Sequence, residues 1–384
     1  MNDFENLPDL ASRPLGGAVV AASDEFFAEK ENLIKPEQPV FTPQTFNHRG
    51  QVYDGWETRR RRENGQAAGG SDWATVRLGV PGVVRGVVVD TAFFKGNYPP
   101  ACSVEGTAVE GYPPPEDLAA ANWTPILPRS PLRGDERAAY AVEAERRYTH
   151  VRLSIHPDGG VARLRVHGEP VPDPRDLVGV PCDLAALENG GAVLGCSDAF
   201  FASAYHLLYP GLAATAGGGW ESARRRDGGN DWVTLRLAGG GVLRAVEVDT
   251  SHFRGNHPDQ VSLFGAFSPA GDPTDGTWRE LLPATQLQPD TRHRFRLSND
   301  EPVTHLRLEI HPDGGVARFR AYGQLTPDAW HAIAVRWFNA LPDSHARAVL
   351  AVPGVTGTDA DKLLAARPVT ALPEQLLRQP PGAP

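Results

Sequence analysis

The segment IHPDGGVAR occurs twice, letter for letter, at 155–163 and at 310–318. Its Pro, Asp and two Gly residues suit a tight turn between strands, because proline fixes φ and glycine accepts positive φ. The turn does not require the histidine. An exposed His and Asp beside a turn could transfer protons or bind a ligand, although a plain hairpin turn would also explain the Asp. We therefore predict catalytic roles for four residues: His156, Asp158, His311 and Asp313.

The strand after this turn is expected to point its arginine outward. In VARLRV the apolar residues alternate with Arg163 and Arg165, which is the period of a half-buried strand. An exposed arginine in this place can bind an anion. We predict substrate binding by Arg163 and by its counterpart Arg318.

A second pair of motifs, DTAFFKGNYP (90–99) and DTSHFRGNHP (249–258), follows two apolar strands. Each motif supplies a carboxylate, a cation and an amide within one glycine-containing loop, and together these can grip a small polar molecule. A loop held by its own Asx turns would contain the same residues. The predicted catalytic residues are Asp90 and Asp249, and the predicted binding residues are Lys95, Asn97, Arg254 and Asn256.

A third pair, GWETRRRR (55–62) and GWESARRR (219–226), puts Gly-Trp-Glu in front of an arginine run. Such a run usually marks a solvated basic loop. Arginine also binds a carboxylate through two parallel hydrogen bonds, and the repeated Gly-Trp-Glu indicates a fixed geometry. The predicted catalytic residues are Glu57 and Glu221, and the predicted binding residues are Arg60, Arg61, Arg224 and Arg225.

These motifs belong to two copies of one domain. The matched blocks keep their order, while the offset between them falls in steps from 174 at Gly16 and Gly190 to 155 at Ile155 and Ile310. Such steps are insertions or deletions in loops, and the period is too long for a solenoid. The predicted boundaries are a first repeat over 12–168, a Pro-rich linker over 169–178, a second repeat over 179–323 and a tail over 324–384.

The elements that must position these motifs are strands. The segment HVRLSI alternates polar and apolar residues, which places His150, Arg152 and Ser154 on the outer face. The high content of glycine and proline, 40 and 35 residues, fits short strands joined by turns. We predict a mainly β protein with two tandem jelly-roll β-sandwiches of the galactose-binding-like class. The tail has apolar residues at helical spacing, so we predict a helical tail with a disordered end.

Composition argues against several classes of partner. The net charge of −9 disfavours nucleic acid, and no run of about 18 apolar residues could span a membrane. The opening segment MNDFENLPDLASRP lacks an apolar core, so no signal peptide is expected. The three cysteines, Cys102, Cys182 and Cys196, form no CxxC pair, which argues against a zinc site and a disulfide framework and favours the cytoplasm.

Signatures of common nucleophile and cofactor sites are missing from the sequence. It contains no GxSxG, P-loop, HExxH or GxGxxG motif. The His and Asp of each HPDGG turn could share a divalent metal, but no third ligand follows at a usual spacing. We therefore predict that no metal or other cofactor is needed, with a divalent metal as the alternative.

Taken together, the motifs GWETRRRR…DWATVRLG, VDTAFFKGNYP and HVRLSIHPDGGVARLRVHG, with their second copies, resemble the allantoicase family. The resemblance covers about residues 12–323 and is specific, because several long motifs recur in order. It implies two similar jelly-roll domains and an amidinohydrolase that converts allantoate to ureidoglycolate and urea, a step of purine breakdown. It also implies a cytoplasmic homo-oligomer.

The tail carries a second resemblance. The segment FNALPDSHARAVLAVPGVTGTDADKLLAARPVTALPEQLL (338–377) is similar to the opening helices of the OHCU decarboxylases, but the catalytic part of that family is absent. We expect the tail to pack or to oligomerise rather than to act as a second enzyme.

The chemistry implied by the allantoicase resemblance fits the residue types of the motifs. Allantoate carries a carboxylate and two ureido groups on one carbon, so its hydrolysis needs a cation, amide-binding groups and groups that move protons. A non-catalytic jelly roll that binds a small polar ligand or a carbohydrate is the alternative. Because most candidate residues survive in both copies, two sites or one composite site are favoured over one decayed copy.

Overall fold

The computed structural model describes residues 3–63, 66–67, 69–178, 181–373 and 376. The chain forms two compact units. The first comprises Met1–Val171 and Ala340–Ala348, and the second comprises Pro172–Asn339 and Val349–Pro384.

The division between the units falls inside the predicted linker over 169–178. This segment is more regular than a Pro-rich linker would be. A strand continues as far as Pro170, and Pro174–Leu177 is a 3₁₀ helix whose Asp173 cap accepts a hydrogen bond from the Arg175 amide. The first unit also starts before residue 12, since Leu10 is fully buried in its core.

In the described part of the first unit, seven strands of five or more residues form an antiparallel sandwich. They are β1 (Ala18–Ala22), β2 (Asp72–Asp90), β3 (Ala101–Thr107), β4 (Thr124–Pro131), β5 (Arg137–Ala141), β6 (Arg147–His156) and β7 (Arg163–Pro170). The order β1-β2-β6-β3-β4 forms one layer, and β5 and β7 flank the other half of β2.

The 19-residue strand β2 therefore belongs to both layers. Its register with β6 jumps from the Arg77–His150 pair to the Gly82–Tyr148 pair, which marks a bulge where the strand bends over the core. Both ends of the strand consequently lie at one end of the sandwich, and the bend lies at the other.

The second unit repeats this arrangement. Its main strands are β8 (Ala192–Cys196), β9 (Asp231–Asp249), β10 (Gln260–Ala266), β11 (Arg279–Gln286), β12 (Arg292–Arg296), β13 (Val303–His311) and β14 (Arg318–Leu325). Strand β9 pairs with β8 and β13 in its first half and with β12 and β14 in its second half. The prediction of a mainly β fold with two sandwiches is confirmed.

Apolar side chains between the layers form the core. Val76, Leu153 and Val166 are fully buried, and each such side chain contributes about 1.5–3 kcal/mol. The predicted alternation holds from Val151 to Ile155, but the outward position of His150 is wrong. Its ring is 1% exposed because β6 is a central strand between β2 and β3.

Shorter elements complete both units. The remaining strands are Phe46–Asn47, Gly50–Gln51, Trp56–Glu57, Arg62–Glu63, Gln66–Ala67, Gly160–Val161, Cys182–Asp183, Trp220–Glu221 and Gly315–Val316. The 3₁₀ helices are Asp3–Asn6, Arg13–Leu15, Lys30–Ile34, Pro174–Leu177, Leu187–Asn189, Ala204–Leu208, Ala216–Gly218 and Asp275–Thr277. The α-helices are α1 (Pro115–Ala120), α2 (Pro327–Ala340), α3 (Asp343–Val349) and α4 (Gly357–Ala365).

The last three α-helices confirm the predicted helical tail. Residues 378–384, where the sequence predicts disorder, lie outside the described residues. Among the helices of the described ranges, none is both long enough and apolar enough to cross a membrane.

Candidate active site

Three loops meet at one end of the first sandwich, and they carry the three repeated motifs. The Thr58 amide donates to the Gly159 carbonyl at 3.1 Å, and the Gly160 amide donates to the Asn97 carbonyl at 2.7 Å. The HPDGG turn thus joins the Gly-Trp-Glu loop to the loop after β2. The second unit has the same bonds, from Ser222 to Gly314 and from Gly315 to Asn256.

The turn needs glycine for two reasons. Gly159 has a φ of +137°, which L side chains rarely adopt, and a Cβ there would lie 2.6 Å from the Asn97 carbonyl oxygen. Gly314 has a φ of +128°, and its Cβ would collide with the Asn256 carbonyl oxygen. The identity of the two turns therefore reflects close packing as well as turn geometry.

Buried tryptophans fix the positions of the glutamates. Trp56 is fully buried, and its ring N–H donates to the Asp24 carbonyl at 2.7 Å. The neighbouring Glu57 Oε1 accepts a hydrogen bond from Asn97 Nδ2 at 2.7 Å. The second unit repeats the Trp220–Asp198 bond at 2.8 Å and the Asn256–Glu221 bond at 2.5 Å.

Glu57 has the electrostatics of a proton donor. Burial raises the pKa of its carboxyl, against the smaller lowering effects of Asn97 and Arg60. A carboxyl with a raised pKa keeps its proton closer to neutral pH, which suits a general acid.

Asp158 holds the arginine loop. Its side chain is 3% exposed, and Oδ2 accepts a hydrogen bond from the Arg61 amide at 2.6 Å. Its Oδ1 accepts from Arg60 Nη1 at 2.9 Å, while Arg60 Nη2 donates to the Gly96 carbonyl at 3.1 Å. Arg60 therefore bridges the turn and the loop after β2, with 47% of its side chain exposed.

The Arg61 side chain is bonded to a second buried carboxylate. Arg61 Nη1 donates to Asp72 Oδ1 at 2.9 Å, and Ser23 Oγ donates to the same oxygen at 3.0 Å. Arg225, Asp231 and Ser197 form the same trio in the second unit, at 2.7 and 2.8 Å. This geometry supports a role in positioning the loop for Arg61 and Arg225 rather than the predicted substrate binding.

The sequence reasoning did not include these serines and aspartates among the site residues. A signal was present, because the pair Ser-Asp at Ser23 and Ser197 lies in the matched blocks GGAVVAASDEFFA and GGAVLGCSDAFFA. The aspartates Asp72 and Asp231 likewise begin matched Asp-Trp pairs after the arginine run.

The two units differ at one arginine. Arg224, the counterpart of Arg60, is exposed and has no hydrogen-bond partner in the part of the chain that the structure describes. Asp313 is half-buried, where Asp158 is buried, and it accepts a hydrogen bond from the Arg225 amide at 2.8 Å. The guanidinium of Arg224 is consequently free to bind a ligand.

The histidines of both turns are bonded to a neighbouring strand. His156 Nε2 lies 3.0 Å from Ser103 Oγ, and His311 Nε2 lies 2.9 Å from Ser262 Oγ. Burial lowers the pKa of His156, and Arg129 lowers it further, so the ring is neutral near pH 7. A direct proton transfer between the His and Asp of one turn gains no support from these bonds.

A pocket of about 640 Å³ opens beside His311 in the second unit. Its lining consists of polar side chains, two glycines and a proline: Gly228, Gly229, Asn230, Asp259, Gln260, Gln286, His311 and Pro312. Sequence reasoning missed this pocket, because Gln260 and Gln286 lie on strands outside the repeated motifs.

Four predicted site residues are held by contacts inside their own unit. Asp90 Oδ1 accepts from the Ala92 amide at 2.8 Å, and Lys95 Nζ lies 3.4 Å from Asp135 Oδ2. In the second unit, Asp249 accepts from the Ser251 amide at 2.8 Å and Arg254 pairs with Asp290 at 3.1 Å. An Asx turn thus accounts for Asp90 and Asp249. Lys95 and Arg254 instead pair with an aspartate of another loop. Asn97 and Asn256 contact the glutamates.

The predicted outward position of Arg163 and Arg318 is wrong. Arg163 is 2% exposed, with Nη2 bonded to Asp54 Oδ2 at 2.6 Å and Nε to the Glu37 carbonyl at 3.0 Å. Arg318 is 4% exposed and donates to the carbonyls of Gly211, His206, Gly218 and Ala317. Loops remote in sequence cover this face of β7 and β14, so both arginines hold those loops rather than face a ligand.

Metal ligands are not grouped in the described ranges. No set of three or more His, Cys, Asp or Glu side chains there could hold an ion. The carboxylates of the cluster instead accept hydrogen bonds from arginines, amides and serines.

The fold and the clusters define a tandem β-sandwich protein with one polar site in each repeat. The model of the allantoicase repeat matches residues 8–171 and again residues 182–326. The chain therefore belongs to the allantoicase family. The match ends before the helical tail, whose similarity to the OHCU decarboxylases stays a prediction.

Relatives and solved structures agree with this family. A protein named "Probable allantoicase" from Nocardia farcinica is 59% identical over 324 residues, which are 84% of this chain and 95% of the relative. Its namesake from Streptomyces coelicolor is 48% identical over 341 residues, 87% of this chain and 89% of the relative.

Among solved structures, the allantoicase of Saccharomyces cerevisiae superposes with a TM-score of 0.71 at 33% identity, covering 84% of this chain and 96% of that one. A second allantoicase structure gives 0.70 at 35% identity, covering 82% and 92%.

Proposed function

We propose that this chain hydrolyses allantoate to ureidoglycolate and urea. Water adds its oxygen to the central carbon, the bond from that carbon to one ureido nitrogen breaks, and this nitrogen takes up a proton as urea leaves. The observation that carries the proposal is the cluster of Glu, Asn, Arg and Asp that recurs in both repeats of an allantoicase-family chain.

The roles follow from the contacts of the second repeat. Arg224 binds the substrate carboxylate, because its guanidinium has no partner among the described residues and arginine binds carboxylates in bidentate fashion. Glu221, oriented by Asn256, protonates the leaving nitrogen. Asp313, which is half-buried, takes a proton from the attacking water.

In the first repeat, Glu57 and Asn97 stand in the same relation, but Arg60 is already bonded to Asp158. Arg60 binds a substrate carboxylate only after it releases this bond. The raised pKa of Glu57 nevertheless suits it as the proton donor of this repeat.

The alternative of a non-catalytic binding module is not favoured. The convergent loops present carboxyl, guanidinium and amide groups, which are the groups that a hydrolysis of allantoate needs.

We also propose that the enzyme works in the cytoplasm as a homo-oligomer, without a metal or other cofactor and without nucleic acid. The support is the net charge of −9, the three free cysteines and the pairing of the site carboxylates with arginines and amides. Sedimentation velocity of the purified protein tests the oligomer, and turnover after dialysis against a chelator tests the metal.

The test of the activity is direct. Purified protein incubated with allantoate should release urea and ureidoglycolate in equal amounts, and the double variant Glu57→Gln, Glu221→Gln should release neither above background. Absence of both products from the wild-type protein, with and without added divalent metal, would overturn the proposal.

A further inference from the structure

We infer that the pocket beside His311 binds an uncharged ureido group, and that the first repeat lacks this binding site. The inference rests on the proposed function, since it assigns the pocket to one ureido arm of the substrate. In the second repeat, the pocket then binds the ureido arm, and Arg224 binds the carboxylate.

Three side chains of the pocket stand in one row across three adjacent strands. Gln260 of β10 lies opposite His311 of β13 on one side and opposite Gln286 of β11 on the other. Residues paired in this way have Cβ atoms about 5 Å apart on the same face of the sheet. We call Gln260, Gln286 and His311 the amide row. It offers a polar surface on which a small planar group can lie.

The two glutamines of the amide row are available for binding. Within the described residues, the side chains of Gln260 and Gln286 have no hydrogen-bond partner, whereas His311 Nε2 is bonded to Ser262. Each primary amide supplies two N–H donors and one carbonyl acceptor. A ureido group presents the same set of donors and a carbonyl, so the row matches it in hydrogen-bonding capacity.

The charge of the pocket favours a neutral ligand. Among the described residues, no lysine or arginine lines it, and Asp259 is the charged residue of the lining. A carboxylate would therefore meet repulsion here, while an uncharged amide-like group would not.

The pocket also adjoins the proposed reaction centre. Asn230 precedes Asp231, which pairs with Arg225, and Pro312 precedes Asp313. One loop and one turn thus carry residues of both the pocket and the cluster.

The first repeat kept the histidine of this row but not the amides. His156 lies opposite Ala101, and Ala101 lies opposite Pro131. Ser71 and Pro100 occupy the places that Asn230 and Asp259 hold in the second repeat. In the described part of the first repeat, the positions that match the amide row and its neighbours thus carry no side-chain amide.

Two variants test the inference, Gln260→Ala, which installs the residue of the first repeat, and Gln286→Leu. Each should raise the KM for allantoate and the inhibition constant of urea by about threefold to tenfold, because one hydrogen-bonding group is lost. Inhibition by acetate, which probes the arginine, should stay unchanged. Gln324→Ala is the control, since this glutamine is exposed in the same repeat but outside the pocket.

Thermal unfolding of each variant establishes that it folds, and Gln260→Glu serves as an isosteric replacement if Gln260→Ala does not fold. Unchanged KM and urea inhibition in the folded glutamine variants, with an active wild type, would overturn the pocket and leave the proposed function standing.

An inactive wild-type protein would instead contradict the proposed function. Urea binding by the pocket is then tested by an NMR titration of the side-chain amides with urea. Shifts that Gln260→Ala abolishes support the pocket, and the absence of shifts in the wild type overturns it.

Discussion

The sites of the two repeats share one scaffold but differ in how one arginine is used. Arg60 is bonded to buried Asp158 and to the Gly96 carbonyl, whereas Arg224 is exposed and Asp313 is half-buried. Arg224 can bind a carboxylate without breaking an ion pair, whereas Arg60 would first have to give up its hydrogen bond to the buried Asp158 carboxylate. The second repeat is therefore better prepared to bind an anion.

The loop between the arginine run and the Asp-Trp pair differs in length between the repeats, and this difference shows which contacts both repeats share. Arg61 and Asp72 are 11 positions apart, and Arg225 and Asp231 are six apart, yet both pairs form the same bond. The position of the loop is thus kept across an insertion, while the contacts of the arginine that faces solvent are not. The comparison separates residues that hold the site from residues that bind a ligand.

The largest expected effect concerns the glutamates. Glu221→Gln should lower kcat for allantoate by about a hundredfold or more, because an amide cannot protonate the leaving nitrogen. Glu57→Gln is the matched change in the other repeat and should lower kcat less than tenfold. Steady-state kinetics of both variants measure this, and a loss of about half of kcat in each variant would show that both repeats catalyse.

The buried histidines His150 and His305 allow the two repeats to be compared in the pH dependence of their stability. Burial lowers the pKa of His150 to about 4, and it lowers the pKa of His305 as well. A histidine whose folded pKa lies below the unfolded value of 6.5 stabilises the fold above pH 6.5, and this stability is lost as the pH falls towards 4. The His150 contribution amounts to roughly 3 kcal/mol.

His150→Gln should therefore flatten the fall in the free energy of unfolding between pH 6.5 and pH 4 more than His305→Gln does. Chemical denaturation at a series of pH values measures the slope. A slope unchanged by His150→Gln would mean that protonation of the ring does not destabilise the folded state.

Substitution of Arg224 should weaken substrate binding, whereas substitution of Arg60 should lower the stability of the fold. Arg224→Met should raise the KM for allantoate by about tenfold or more, since a charged hydrogen bond to the substrate is lost. Arg60→Met should change KM less than threefold but lower the free energy of unfolding by about 1 kcal/mol, because Asp158 loses a partner. The reverse pattern would assign substrate binding to the first repeat.

The smallest effects are expected for Lys95→Ala and Arg254→Ala. Both cations form exposed ion pairs, with Asp135 and Asp290, and such pairs contribute at most about 1 kcal/mol. Turnover should stay within twofold of the wild type in each variant. A large rise in KM for either variant would show that the substituted residue contributes to substrate binding.

The sequence was informative where the cause of a structure is local. Period-two alternation predicted the strands around Leu153, and Pro and Gly predicted the HPDGG turn, because each of these signals acts within a few residues. Repetition then identified Glu57, Asn97 and Asp158 as candidates, and these do meet at one end of the sandwich.

Contacts between distant segments could not be predicted in this way. Arg163 is buried by Asp54, which lies 109 residues earlier in the chain, so its own strand pattern still indicated an exposed residue. His150 is covered because its strand became central. The unoccupied hydrogen-bonding capacity of Arg224 is equally invisible in sequence, since Arg60 and Arg224 are both followed by two arginines in the matched motifs.

The bend in β2 has a consequence for how such a protein can arise. The Gly79 amide donates to the Leu10 carbonyl and the Val171 amide donates to the Pro81 carbonyl, so the chain enters and leaves the first sandwich at the end opposite the site. The second sandwich keeps the same arrangement, with Ala238 bonded to Leu184 and Gly241 paired with Leu325. A gene duplication could therefore join two units through their far ends without touching a loop of either site, and each copy was then free to change its ligand contacts alone.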